Sequence, residues 1–205
     1  MAASAQNLST EARDWTAVGI GLNVVLVPLL REYVDKLLGN LYTDLEHDFK
    51  IGNEHGNRLS NDQAYQKFGF YYNNQGRRHA IRSHHELGKL YLEGFMRIDR
   101  TTTIESFDSS AILNILERAK RNGSNLAYNG VPHLARQIRN NLRNEWAHCD
   151  LTKWNHDKFL ECFDLMIKTV ECLENDPTLD NTYKTKAREA KINLITAVFV
   201  KYFML

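Results

Sequence analysis

The sequence predicts an all-α protein, a bundle of amphipathic helices, and three observations carry that prediction. Apolar residues recur with a period near 3.6 over residues 29–49, 131–146 and 159–173. Three prolines and eleven glycines in 205 residues leave little material for β-turns. Helix punctuation sits where those runs begin and end, at Asp108, Asn122-Gly123, Pro132 and Pro177. A chain of this length buries a real core, and favours one domain or one with an appendage. The division read here is a loose, small-residue tail over 1–13, a helical domain over 14–176, and an additional C-terminal helix over 177–205. That last helix either packs on the domain or leads onward.

The first helix is expected from Asp14 or Thr16. Pro28 either kinks it or occupies the first turn of a second helix. Leu29, Tyr33, Leu37, Leu41, Leu45 and Phe49 then form one stripe, with Leu30, Val34 and Leu38 beside it, so a long helix reaches about Phe49. Residues 51–76 lose the periodicity. Gly52, Asn53, Gly56, Asn57 and Asn61 mark loop, with a short helix over Asp62–Phe68, and Asn73-Asn74-Gln75-Gly76 is a turn cluster. Gly69-Phe70-Tyr71-Tyr72 leads into that turn; its tyrosines offer stacking surfaces for bases, but as plugs for a bundle end such aromatics need no ligand.

Arg77-Arg78-His79 and Arg82-Ser83-His84-His85 introduce a basic, histidine-rich segment. No cysteine or carboxylate nearby completes a zinc ligand set, since Glu86 faces away from His84, so a solvated positive face is expected and no metal is assigned. Leu87, Leu90, Tyr91, Phe95 and Ile98 supply the opposite face, and the helix stops by Arg100-Thr101-Thr102-Thr103. Asp108 or Ser109 caps the next helix, with Ala111, Ile112, Ile115, Leu116 and Ala119 inward and an end at Asn122-Gly123. Pro132 lies just inside the following helix. Another opens near Thr152 and carries Phe159, Cys162, Phe163, Met166, Val170 and Leu173, with Trp154 packed at its start.

A net charge of +1 excludes a polycation, so any nucleic-acid contact must be a local patch. Charge is uneven in the required way. Arg118, Lys120, Arg121, Arg136, Arg139 and Arg143 share the stretch 118–143 without an acid, whereas 150–180 is acid-rich. Three cysteines without a secretory leader point to a reducing compartment, the cytoplasm, with the nucleus as the other candidate. Cys162 and Cys172 read as small core residues. The apolar runs 17–30 and 192–205 carry Asn23, Pro28, Asn193 and Lys201, and are expected to be buried helices rather than membrane spans. RING, P-loop and zinc patterns do not occur, and no cofactor is called for.

The run from Val131 divides into a packing face and a polar one. At about 100° per residue, Val131, Leu134, Ala135, Ile138, Leu142 and Trp146 share one arc. Arg136, Arg139, Asn140, Arg143 and Asn144 share the other, a face suited to a phosphate backbone. Arg143, Asn144 and His148 bring a phosphate-holding guanidinium and a near-neutral proton carrier within six residues, enough to cut a phosphodiester without a metal. The spacing alone is common. Arg77 with His84, Arg78 with His85 and Arg78 with His84 also fit it, without the Asn or the flanking residues. On a continuous helix Arg143 and His148 diverge by about 140°, whereas Asn144 and His148 share a face.

Leu142-Arg143-Asn144-Glu145-Trp146-Ala147-His148-Cys149-Asp150 resembles the motif of HEPN domains, all-helical modules in which Arg, a polar residue and a following His form the signature. The stretch 107–116 and the stretch 151–163 are similar to the subgroup associated with the DAZ-interacting zinc-finger ubiquitin ligase, also found beside NACHT-type ATPases. The resemblance is clearest over 104–175. It implies a HEPN-type bundle, an RNA-binding module preferring single strands, and metal-independent endoribonuclease chemistry in RNA turnover or innate defence. In that chemistry His148 moves protons, Arg143 stabilises phosphate charge and Asn144 orients. It also implies a homodimer with two motifs meeting in one cleft. The alternative is a non-catalytic dimerisation or adaptor domain docking on an ATPase or ubiquitin-ligase partner.

Overall fold

A computed structural model describes residues 9–53, 60, 63–70, 80–92 and 103–203. Helices dominate it, as the periodicity requires. Contacts divide the chain into two compact units, one formed by 1–26 with 137–205 and the other by 27–136. The boundary falls twice within a helix.

The first unit begins with α1 (Thr10–Ile20), capped by Ser9, whose hydroxyl accepts from the Ala12 N–H. This start lies upstream of the expected one because Ser9 offers a cap that Asp14, buried inside the helix, does not. A π-helical segment, Gly21–Leu26, follows and runs directly into α2 (Val27–Phe49) of the other unit. Its position explains Pro28. The proline ring would collide with the carbonyl of Val24 in a regular α-helix, and one widened turn relieves that without breaking the helix. The continuous helix Thr10–Phe49 is 40 residues long, enough by length and composition to cross a membrane, yet 56% of its most apolar window is buried within the protein.

The same unit contains α7 (His156–Glu174) and α8 (Asn181–Phe203), which pack on each other. Val18, Leu22, Phe159, Phe163, Met166, Val170 and Leu194 are buried at its centre. Helix α7 starts at His156 rather than near Thr152. Residues Leu151–Lys153 form a 3-10 turn under Asp150, then the buried Trp154 holds extended backbone and Asn155 caps the helix. Cys162 is buried, and that burial pushes its thiol up to about 12, while burial also raises Cys172. Brief iodoacetamide treatment should therefore alkylate the exposed Cys149 and spare Cys162. Peptide mass spectrometry showing equal labelling would contradict the packing of α7.

In the second unit α2 lays Leu29, Leu30, Tyr33, Val34, Leu38, Leu41 and Leu45 into the core, and Lys50 ends it in left-handed backbone (φ 52°). A π turn, Gln63–Lys67, replaces the short α-helix expected there. Phe70 is buried edge-on to Tyr91 at 5.1 Å, which makes it a core residue, whereas Tyr71 and Tyr72 lie outside the described residues. So do Arg77, Arg78, His79, Phe95, Ile98 and the expected stop at 100–102. The helix α3 (His84–Lys89) is short, and its histidines correct the sequence reading. They are half-buried against Asp35 of α2 rather than a solvated positive face. The carboxylate comes from 49 residues upstream, beyond the reach of any local pattern.

Next comes a single 3-10 turn, Ile104–Ser106. Helix α4 (Ser109–Arg118) is capped by Asp108, whose carboxylate accepts from the Ala111 N–H at 2.8 Å. It ends at Arg118, four residues before the expected Asn122-Gly123. Those two residues instead form the tip of a small hairpin between β1 (Lys120–Arg121) and β2 (Ser124–Asn125). Their φ values of 52° and 87° are the paired left-handed conformations that Asn-Gly supplies to a tight hairpin turn. Helix α5 (Val131–Gln137) then starts with Pro132 buried in its second position.

Candidate functional site

Helix α5 passes without a break into another π-helical segment, Ile138–Arg143, and then into α6 (Asn144–His148). The Asn144 N–H donates to the Arg139 carbonyl, five residues back, which is the widened bond pattern. Apolar periodicity does not reveal this extra residue in the turn, because Ile138 and Leu142 both stay buried. Its effect is local. Arg143 closes and Asn144 follows a segment wider than an α-helix, a distortion common at functional sites.

The motif side chains do not all meet. The Arg143 guanidinium donates to Asn144 Oδ1 at 3.3 Å, and Arg139 donates to Asn140 Oδ1 at 3.4 Å. Arg136, counted with the other unit, is held by Glu117 at 2.8 Å, an acid outside the acid-free stretch of 118–143. His148 stands apart. Its side chain is exposed and, among the described residues, makes no hydrogen bond. It remains the last residue of α6, and the left-handed turn comes after it, at Cys149 (φ 52°, ψ 36°). The chain thus reverses one residue too late to fold His148 back onto Arg143.

What anchors α6 was not legible in the sequence. Trp15 and Trp146 stack with ring centroids 5.3 Å apart and planes 12° from parallel. Each indole N–H donates to the other residue's backbone carbonyl, at 2.9 and 3.1 Å. Gly19 leaves room for the ring, since a Cβ there would stand 2.5 Å from Trp146 Nε1. Glu145 pins the opposite side by an ion pair to Lys158 at 2.8 Å. Although burial opposes charge on Lys158, the hydrogen bond it donates to the Glu145 carboxylate holds its pKa above the usual lysine value. Glu145 is therefore occupied structurally.

No family model, curated protein or solved structure matches this chain. The site has to be argued from its own geometry.

That geometry makes Gly19 a sensitive reporter. Gly19→Ala should displace the Trp146 ring and loosen α6, lowering stability by about 1–3 kcal/mol as an overpacked contact. Thermal unfolding by circular dichroism measures it, and an unchanged midpoint would show that the tandem indoles have slack.

Proposed function

We propose that this chain is an RNA-binding module of HEPN type whose Arg143, Asn144 and His148 serve metal-independent cleavage of single-stranded RNA across a homodimer. The observation that carries the reading is the pose of α6. A guanidinium and an amide are joined on one side, and an unengaged imidazole is held at the helix end by structural contacts on both flanks. Arg143 would stabilise charge developing on phosphate, and His148 would take the proton from the ribose 2′-hydroxyl as it attacks phosphorus; the P–O5′ bond breaks as the new P–O2′ bond forms, and the departing 5′-oxygen takes a proton from water. Because that hydroxyl is the nucleophile, DNA is spared.

The test is incubation of the pure protein with labelled single-stranded RNA in the presence of chelator. Cleavage should persist, leave a cyclic phosphate, and vanish in His148→Ala with helicity unchanged, since His148 touches none of the core. Intact RNA after long incubation across several pH values would reject catalysis. In that event the adaptor reading gains, for which the exposed Ile192 and Phe199, two turns apart on α8, supply apolar docking surface.

RNA binding has its own reading. Arg139→Glu should weaken affinity and flatten the slope of log affinity against log salt by about 0.7 for the lost phosphate contact. Arg136→Glu should do less, because Glu117 already neutralises that guanidinium. Fluorescence anisotropy over a salt series decides, and equal insensitivity of both variants would remove the basic face from the account.

A further inference from the structure

Asp35, His84 and His85 form a second chemical cluster, in the unit of residues 27–136. His84 Nε2 and His85 Nε2 each lie 2.9 Å from the same Asp35 Oδ1. The two imidazoles face one another with centroids 3.9 Å apart and planes tilted by 48°. All three ligand atoms fall within 4.8 Å of one another.

The scaffold fixes this convergence from both sides. Asp35 projects from the middle of α2, next to the fully buried Val34. His84 and His85 open α3, whose start is set by reciprocal caps. Ser83 Oγ accepts from the Glu86 N–H at 3.2 Å, and the Glu86 carboxylate accepts from the Arg82 N–H at 2.6 Å. Glu86 is thereby turned away from the histidines. Gly88 lets α3 approach α2 closely, since a Cβ there would be 2.9 Å from Leu38 Cδ1. The buried Leu87 completes the seat.

We propose that Asp35, His84 and His85 bind one divalent transition-metal ion of the Zn2+ class. Ligand atoms about 2.0–2.1 Å from a tetrahedral zinc lie roughly 3.3 Å apart, so the 2.9 Å contacts need shift by only a few tenths of an ångström. Two imidazole nitrogens and one carboxylate oxygen select Zn2+ and its neighbours over Mg2+ and Ca2+, which take all-oxygen sets. Side-chain exposures of 32%, 21% and 42% give the ion a path in and leave its remaining coordination to water. The rival occupant of this geometry is a pair of ring N–H groups donating to one carboxylate. A bound ion replaces both protons and clamps α3 to α2. Neither the RNA reading nor the motif helix enters this proposal, and its test needs no cleavage assay.

The experiment is calorimetric titration of the full chain, stripped with chelator and dialysed, with Zn2+ and separately with Mg2+. One Zn2+ per chain is expected, with no heat from Mg2+. Asp35→Asn and the pair His84→Gln with His85→Gln should each weaken binding by about tenfold or more, whereas His47→Gln should not. A reading that needs no variant is the histidine ring 15N spectrum, in which Zn2+ should move the Nε2 resonances of His84 and His85 and leave His133 and His148 in place. Stoichiometric binding that survives Asp35→Asn, shifts confined to other histidines, or the absence of binding at micromolar Zn2+ would each overturn the site.

Discussion

Trp146→Ala is expected to destabilise the unit formed by 1–26 and 137–205 by about 3 kcal/mol, the largest stability loss of any single change in the motif helix. A fully buried tryptophan truncated to alanine costs about 3–5 kcal/mol, and partial exposure of Trp146 lowers that share. One hydrogen bond is lost with it and a second loses its support. Its own N–H to the Trp15 carbonyl disappears, and the Trp15 N–H keeps its acceptor but loses the stacked ring that aligns it. Trp15→Ala should cost nearly as much, and the double variant less than the sum, with a coupling energy of about 1 kcal/mol or more. Denaturant unfolding followed by tryptophan fluorescence and by circular dichroism reads both. Strict additivity would mean that the rings neighbour one another without acting as a pair. RNA binding should fall together with stability here, because α6 loses the contact that fixes its pose.

The parts of this fold that the sequence reveals are those whose cause is local. A stripe at 29, 33, 41 and 45 needs only one buried face to be read, and α2 follows it. Caps are local too, so Asp108 and Pro132 were placed correctly. The hairpin at Asn122-Gly123 was also legible in principle, since Asn-Gly is a hairpin signal. It was absorbed into α4 because Ala119, one residue past the helix, is itself buried and continues the apolar count. What the sequence hid depends on distance or on a single residue of register. Trp15 meets Trp146 across 131 positions, and Asp35 meets His84 across 49. The π segment Ile138–Arg143 inserts one residue into a turn whose apolar anchors still look four apart. Cys149 adopts left-handed backbone although nothing in a cysteine side chain asks for it.

Arg143→Ala and His148→Ala proteins, each inactive alone, are expected to regain cleavage when mixed. The reason lies in the helix. From Asn144 through His148 α6 is regular, so Arg143 and His148 project about 140° apart. The reversal that might have closed the gap falls at Cys149, after the histidine. One chain therefore offers either the guanidinium or the imidazole to a given phosphate. In the proposed dimer a twofold axis near Asn144 would bring each Arg143 towards the His148 of the second copy, and isologous pairing of this kind is the commonest oligomer symmetry. Facing arginines repel, which a bound phosphate relieves, so RNA should tighten the dimer. Random exchange places half the chains in heterodimers with one intact and one doubly damaged site, giving about a quarter of wild-type activity. Light scattering at assay concentration supplies the independent check on the assembly. A monomer in the presence and absence of RNA, or mutants that stay inactive after subunit exchange is demonstrated, would eliminate the composite site and return the imidazole to a helix-end role beside the C-terminal dipole.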